Sequence, residues 1–190
     1  MMVIWLRAIG RVDALIDSLL RWDEQMLQAI SEHQGLSRMS GVLVSATYMG
    51  DGYLWGGLAL GMILFGRPID RSYVILGVGV MIASIAIFRM FKMVFARPRP
   101  ILVVSPLRSK FLDSYSFPSG HATTSFALAW VISVCYPHLW VQVSIYLAAI
   151  MISLSRVYMR EHYPLDVLCG ALVGTSTAIY LLPLLQRVVF

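Results

Sequence analysis

Three short polar clusters interrupt an otherwise apolar sequence, and each contains residue types that can bind or transfer a phosphate group. Lysine and arginine neutralise phosphate charge, and the planar fork of arginine matches two phosphate oxygens at once. Histidine can attack phosphorus or exchange a proton near neutral pH. The clusters are Lys92 with Arg99, then Ser119-Gly120-His121, then Ser155-Arg156 followed by His162 and Asp166.

The middle cluster has the features of a helix start. Ser119 is a good N-cap before an apolar run, and Gly120 lets a ligand come close to the backbone. The first N–H groups of a helix have no partner within it, so this end attracts an anion such as phosphate. Taken alone, a capped helix with an incidental His121 explains the same residues equally well.

The last cluster can provide an activated histidine. Pro164 suits the first turn of a helix, which places Asp166 in that turn and His162 just outside it, within reach. A histidine held by a carboxylate is an oriented nucleophile, and a second one, His121, can protonate the leaving oxygen. No cluster of acids suits magnesium and no Cys/His set suits zinc, so we expect metal-independent chemistry without a cofactor.

The composition decides which elements can position these clusters. The chain has 190 residues, of which 58% are hydrophobic and only 13% charged, and its mean hydropathy is +0.75. A soluble domain is about 45–50% apolar and about 25% charged, so this is an integral membrane protein. The net charge of +5 mostly flanks apolar runs, which favours lipid headgroups over nucleic acid as partners.

The apolar runs predict an all-α polytopic bundle with five transmembrane helices, or six if an additional, weakly hydrophobic first span exists. Residues 1–190 form one domain, in which 1–40 are an amphipathic interfacial segment, helical over 12–30, and 41–190 form the bundle. With five spans, all three clusters lie on the same side of the membrane. The predicted spans are 41–66, 72–91, 122–136, 139–158 and 165–185.

Two positions have more than one interpretation. Asp51 lies between Gly50 and Gly52 inside the first predicted span, where an acid is a functional candidate. A turn near the surface, or a kink with the carboxylate satisfied by a neighbouring helix, is an equally good explanation. Lys92 and Arg99 would lie two turns apart on one helical face if their helix continued that far, but repeated prolines predict that it ends.

The pattern Lys92-x6-Arg99-Pro100, Pro118-Ser119-Gly120-His121 and Ser155-Arg156-x5-His162-x3-Asp166 resembles the three-part signature of the type 2 phosphatidic acid phosphatase superfamily. The resemblance implies a helical membrane bundle and a phosphohistidine intermediate. By match, His162 is the nucleophile, Asp166 its orienting partner and His121 the general acid. Arg97-Pro98 is a second Arg-Pro, so the choice of Arg99 depends on spacing alone. The residues that would hold the phosphate are Lys92, Arg99, Ser119, Gly120 and Arg156.

The resemblance favours a lipid phosphate or diphosphate phosphatase, with a membrane lipid as substrate. Undecaprenyl diphosphate, phosphatidylglycerol phosphate and lipid A phosphates are all candidates, and neither the choice among them nor an oligomeric state follows from the sequence. A lipid phosphotransferase would use the same residues, and a non-enzymatic lipid or anion transporter is a third hypothesis. The resemblance also implies a bacterial inner membrane with the site facing the periplasm, although the positive-inside rule favours the cytoplasm.

Overall fold

The computed structural model describes residues 2–100 and 114–190, and the side chains among them from residue 13 onward. It is helical, and within those residues no strand forms. The helices are α1 (Met2–Ser31), α2 (Gln34–Arg38), α3 (Ser40–Tyr48), a π-helical segment (Met49–Tyr53), α4 (Leu54–Phe65), α5 (Pro68–Phe95), α6 (Gly120–Cys135), α7 (Leu139–Tyr158) and α8 (Pro164–Val189).

Helices α5 and α8 begin in the same way, with proline at the first helical position and aspartate two residues later. The Asp70 carboxylate accepts the N–H of Arg67 at 2.6 Å, and that of Asp166 accepts the N–H of Tyr163 at 2.9 Å. Each aspartate thereby satisfies a backbone donor that has no partner within the helix, and its charge complements the helix dipole. The first turn of α8 is therefore well defined, which matters because it carries Asp166.

Helix α6 lies at the centre and packs against α5, α7 and α8. Its closest approach is to α8, where two glycines face it. A Cβ atom on Gly170 would lie 2.6 Å from the Ser119 carbonyl oxygen, and one on Gly174 would lie 2.8 Å from the Thr123 carbonyl carbon. Small residues allow this backbone contact, as is common between membrane helices. It also places the start of α6 directly beside the start of α8.

Three helices are long and apolar enough to cross a membrane in the part of the chain that the structure describes: α5, α7 and α8. Helix α6 is apolar but shorter. The run predicted as a single span over 41–66 is divided into α3, the π-helical segment and α4. The protein is therefore a multi-pass helical membrane protein, while the count of five or six spans stays a prediction.

The amino-terminal helix is longer than the amphipathic segment predicted over 12–30, since α1 covers Met2–Ser31. Leu27 is buried where α1 packs on α7 and α8, whereas Leu15, Leu19 and Trp22 are exposed. Arg160, in the turn between α7 and α8, donates to the hydroxyl of Ser31 at 2.9 Å. The carboxyl-terminal half of α1 thus lies against the α7–α8 turn, and its placement in the membrane interface stays a prediction.

Helix α5 does not reach Arg99. It ends at Phe95, and Ala96 has φ 45°, in the left-handed region where the chain turns away. Pro98 and Pro100 could not continue the helix, because proline lacks the N–H donor and clashes with the preceding turn. Lys92 therefore projects from the last turn of α5, and Arg99 reaches the same region from the loop that follows.

Candidate active site

Six of the eight predicted site residues line one cavity of about 840 Å³. It lies where the ends of α5 and α7 meet the starts of α6 and α8, as expected for clusters on one side of a bundle. Ser119 and Asp166 do not line it and are buried behind it. The six are Lys92, Arg99, Gly120, His121, Arg156 and His162.

His162 lies in the turn before α8 and is only 2% exposed. Its Nε2 atom is 3.3 Å from Nη1 of Arg99. Its Nδ1 atom faces Oδ2 of Asp166 at 3.7 Å, which is close but beyond a hydrogen bond. Burial, followed by the charges of Arg156, Arg99 and the other cavity cations, lowers the pKa of His162 well below its ordinary value. This shift favours the neutral ring, which is the form that a nucleophilic imidazole needs.

The Asp166 carboxylate is held mainly by groups other than His162. Its Oδ1 accepts a hydrogen bond from Nη1 of Arg97 at 2.8 Å, and its Oδ2 accepts the N–H of Tyr163 at 2.9 Å. The guanidinium of Arg97 also stacks on the Tyr163 ring, 3.9 Å from its centroid. Arg97 therefore supports Asp166 from behind the cavity, whereas Arg99 lines it. The position of Arg99 in the cavity wall is compatible with its choice by spacing, and its role in holding phosphate stays a prediction.

Asp23 of α1 is a further member of this network, and sequence reasoning missed it. Its Oδ2 accepts Nη2 of Arg97 at 2.7 Å, and its Oδ1 accepts the N–H of Leu165 at 2.9 Å. Burial alone would lower the pKa of Arg97, but the carboxylates of Asp166 and Asp23 together raise it. One signal was available: Asp23 lies four residues before Leu27, on the buried face of an otherwise amphipathic helix.

The three predicted phosphate-binding cations are held in place by the protein. Lys92 Nζ donates to the Tyr115 carbonyl at 2.7 Å, and Arg99 Nη1 donates to the Glu161 carbonyl at 2.8 Å. Arg156, only 1% exposed, forms a salt bridge with the buried carboxylate of Glu161. Glu161 is the second residue that sequence reasoning missed. It fixes the guanidinium of Arg156 without lining the cavity itself.

The predicted N-cap at Ser119 is confirmed. Its Oγ accepts the N–H of Ala122 at 3.4 Å, and α6 begins at Gly120. The Ser119 N–H donates to the Asp166 carbonyl at 2.9 Å, which joins the starts of α6 and α8. A Cβ atom on Gly120 would lie 3.0 Å from the Phe88 ring. The first turn of α6 is thereby fixed with Gly120 and His121 at the cavity wall.

His121 has a carboxylate partner. Its Nε2 lies 2.7 Å from Oδ1 of Asp51, which the π-helical segment presents to the same cavity. The chain kinks at this point and the carboxylate is paired with a residue of a neighbouring helix, which agrees with the kink explanation of Asp51 and not with a surface turn. A functional role for Asp51 stays a hypothesis. Among the side chains that the structure describes, no three His, Cys, Asp or Glu residues converge on a possible metal position. Metal independence itself stays a prediction.

Away from these polar groups the cavity becomes a long apolar groove between α4, α5 and α6. Its wall includes Trp55 of α4, Leu128 of α6, and a continuous face of α5 from Lys92 back to Tyr73. The nineteen helical steps from Tyr73 to Lys92 correspond to about 28 Å at a rise of about 1.5 Å per residue. The hydrocarbon core of a bilayer is about 30 Å thick. The groove is therefore about as long as the hydrocarbon core of a bilayer is thick.

Comparison with known proteins agrees with this architecture. The model of the PAP2 superfamily matches residues 72–189. An undecaprenyl-diphosphatase of Sulfolobus acidocaldarius is 30% identical over 154 residues, which cover 80% of this chain and 72% of that protein. The crystal structure of Aquifex aeolicus LpxE superposes with a TM-score of 0.67 at 25% identity, covering 86% of this chain and 93% of the other.

A second crystal structure, of a PAP2 type phosphatidylglycerolphosphate phosphatase from Bacillus subtilis, has a TM-score of 0.71 at 21% identity. It covers 91% of this chain and 88% of that one, and supports the fold alone. Fold and site together define a membrane-embedded phosphatase of the lipid-phosphate class. Within that class, the chain belongs to the PAP2 superfamily.

Proposed function

We propose that the protein hydrolyses the diphosphate of a long, single-chain isoprenoid lipid through a phosphohistidine intermediate. The observation that carries the proposal is the combination of a cationic, two-histidine site with an apolar groove about as long as the hydrocarbon layer is thick. Undecaprenyl diphosphate is the substrate of this kind named for the Sulfolobus relative. Metal ions and cofactors have no part in the proposed steps.

In the first step the Nε2 lone pair of His162 attacks the terminal phosphorus, and a P–N bond forms as the bond from that phosphorus to the bridging oxygen breaks and the lipid monophosphate leaves. The bonding electrons move to the leaving oxygen, which takes a proton from His121. In the second step the now neutral His121 accepts a proton from water, which attacks phosphorus and releases His162 and inorganic phosphate. Burial and the neighbouring cations lower the pKa of His162 and so favour the neutral ring, which supports its role as the nucleophile.

The cations stabilise the charge that develops on the phosphoryl oxygens. Lys92, Arg99 and Arg156 line the same end of the cavity as His162. Two of them are anchored through Glu161, so they need little reorganisation when the substrate binds. Preorganised donors of this kind provide much of the transition-state stabilisation in phosphoryl transfer. The backbone N–H groups at the start of α6 add further donors.

The length of the groove is the reason to prefer an isoprenoid substrate. A two-tailed phospholipid stays within one leaflet, so its tails would occupy only the half of the groove nearest the site. A single long chain can follow one narrow path along α5 from Lys92 to Tyr73. Because burial of apolar surface stabilises the complex roughly in proportion to area, affinity should rise with chain length until the groove is filled.

The first experiment tests the chemistry. We expect purified protein in detergent to release inorganic phosphate from undecaprenyl diphosphate, and His162→Ala to abolish release while leaving the elution profile and melting temperature unchanged. Excess chelator should not inhibit. Phosphate that appears on an added lipid alcohol instead would identify a phosphotransferase, and neither release nor transfer would favour the transporter hypothesis. Full activity in His162→Ala would end the phosphohistidine mechanism.

The second experiment tests the groove. Val74 lines it near the end far from the site, whereas the adjacent Ile75 is 61% exposed and faces away. Val74→Trp should shorten the groove and weaken kcat/KM for a long isoprenoid diphosphate, while a short-chain analogue keeps its rate. Ile75→Trp is the matched control and should affect neither substrate. If Val74→Trp had the wild-type kcat/KM for both chain lengths, the groove would no longer support a long-chain substrate.

The site is further proposed to face the periplasm of a bacterial inner membrane, on the strength of the family resemblance. Ser114 is exposed at the start of the described segment that leads into α6. A Ser114→Cys protein, with Cys135 and Cys169 replaced, should react in intact cells with a thiol reagent that cannot cross the inner membrane. Labelling only after that membrane is broken would place the site in the cytoplasm, as the distribution of cations favours.

A further inference from the structure

The π-helical segment between α3 and α4 presents a single carboxylate to the candidate general acid. Oδ1 of Asp51 lies 2.7 Å from Nε2 of His121, and the two side chains are 35% and 22% exposed. This distance is that of a charge-assisted hydrogen bond. It is much shorter than the 3.7 Å between His162 and Asp166. Of the two histidines in the cavity, His121 is therefore the one in direct contact with an acid.

The glycines on either side of Asp51 explain how the backbone achieves this contact. A Cβ atom on Gly50 would lie 2.9 Å from Cδ2 of His121 and 2.6 Å from Cγ2 of Ile152. Only glycine lets the segment come this close to α6 and α7. Gly52 has φ 112°, a conformation that residues with a side chain rarely adopt. The kink between α3 and α4 therefore depends on both glycines.

The positive charges around His121 explain why the Asp51 carboxylate would matter for catalysis. A general acid must carry a proton when the substrate binds, but the cations Lys92, Arg89, Arg99 and Arg156 line the same cavity. Positive neighbours disfavour a charged imidazolium, whereas a carboxylate in contact with the ring favours it. Among the acidic side chains that the structure describes, Asp51 is the one that lines this cavity.

We propose that Asp51 is a positioning residue that holds His121 as an oriented imidazolium, ready to protonate the leaving oxygen. The inference rests on the proposed phosphatase mechanism and deepens it. Nε2–H of His121 donates to Asp51 throughout, so the proton that moves to the leaving oxygen comes from Nδ1. In the second step Nδ1 takes the proton from the attacking water. Asp51 stays ionised and touches neither substrate nor phosphorus.

The test compares two substrates with the same chain, an isoprenoid monophosphate and the corresponding diphosphate. The monophosphate expels an alkoxide and depends strongly on the general acid, whereas the diphosphate expels a phosphate, a much better leaving group. We expect Asp51→Asn to lower kcat at least roughly 10-fold for the monophosphate, as part of the 10²–10⁴-fold typical of general acid catalysis. The diphosphate rate should fall much less. Asp51→Glu, which restores the charge, should recover part of the loss.

The matched control is Asp70→Asn. Asp70 is a buried, hydrogen-bonded acid at the far end of the bundle, where it accepts the hydroxyl of Tyr136 at 2.6 Å. Any effect of Asp70→Asn on folding should change the rates for both substrates by the same factor, so the ratio of the two rates should stay constant. In a His121→Ala background, Asp51→Asn should cause no further loss. Should Asp51→Asn fail to fold, Gly50→Ala, which displaces the segment from His121, should alter the ratio in the same direction.

The outcomes separate this inference from the mechanism on which it rests. Three results would overturn the role of Asp51. Asp51→Asn could lower kcat equally for both substrates, or leave kcat unchanged. It could also lower kcat by the same factor in the His121→Ala background as in the wild-type protein. Those results would leave the phosphohistidine mechanism in place if His162→Ala is inactive. Activity that survives in His162→Ala would overturn the mechanism itself, whatever Asp51→Asn does.

Discussion

Arg97 connects three parts of the protein, and its removal should be far more damaging than that of an ordinary surface cation. One guanidinium nitrogen donates to Asp166 at 2.8 Å and another to Asp23 at 2.7 Å. Both carboxylates are fully buried, while the arginine side chain is 18% exposed. Arg97→Ala would leave two buried carboxylates without their shared cation, although each keeps one backbone N–H donor.

The size of the effect follows from that burial. Removing one partner of a buried ion pair typically costs about 3–5 kcal/mol, because the remaining charge stays desolvated. For a chain of this length each kcal/mol corresponds to about 2–4 °C in melting temperature. We therefore expect Arg97→Ala to lower the melting temperature in detergent by about 6–20 °C. Asp23→Asn should restore part of that loss when combined with Arg97→Ala, because it removes one of the two uncompensated charges.

The assay is thermal unfolding of the purified variants in one detergent, followed by intrinsic fluorescence and by loss of activity. Arg67→Ala is the matched control, since Arg67 also pairs with an aspartate in the first turn of a helix but is 68% exposed. A solvent-screened ion pair contributes little to stability, so the melting temperature of Arg67→Ala should stay near that of wild type. Equal melting temperatures for Arg97→Ala and Arg67→Ala would refute the reasoning from burial.

Three further predictions concern the site and the packing around it. Arg156→Lys should lower kcat/KM roughly 10- to 150-fold, the equivalent of one charge-assisted hydrogen bond of about 1.5–3 kcal/mol, and wild-type kinetics would contradict this. Because burial and the neighbouring cations lower the pKa of His162, the acidic side of the pH profile of kcat/KM should fall well below pH 6.5. Arg99→Gln should move that fall to higher pH, and an unchanged profile would contradict this. Gly174→Ala should destabilise the fold by about 1–3 kcal/mol, since its methyl group would overlap the Thr123 backbone, whereas Gly57→Ala, in open space, should not.

Much of the site followed from local sequence patterns. Ser119 before an apolar run predicted where α6 begins, and the order of apolar runs predicted that the polar clusters meet at one end of the bundle. These inferences succeed because capping and hydrophobic burial act over a few residues. The division of the 41–66 run was not predicted. The Gly-Asp-Gly sequence allowed a kink there, but a surface turn explained it equally well.

The supporting residues could not be predicted from local patterns, because their partners lie far away in the chain. Asp23 meets the amide of Leu165 across 142 positions, and Arg97 meets Asp166 across 69. No periodicity connects such positions, and only the packed bundle brings them together. Glu161 illustrates a different difficulty. It directly precedes His162 in the sequence, but its role is to form the salt bridge to Arg156, and that contact depends on the tight turn after α7.

The contrast between the two histidines is the strongest argument for their assigned roles. Where two titratable groups share a site, environments that drive them to opposite protonation states identify the base and the acid. His162 is almost fully buried among cations, and the Asp166 carboxylate stands 3.7 Å away, engaged by Arg97. These conditions favour the neutral ring that a nucleophile needs. His121 is partly exposed and contacts the Asp51 carboxylate at 2.7 Å, which favours the charged ring that a proton donor needs. Exchanging the roles would require each ring to adopt the protonation state that its surroundings oppose.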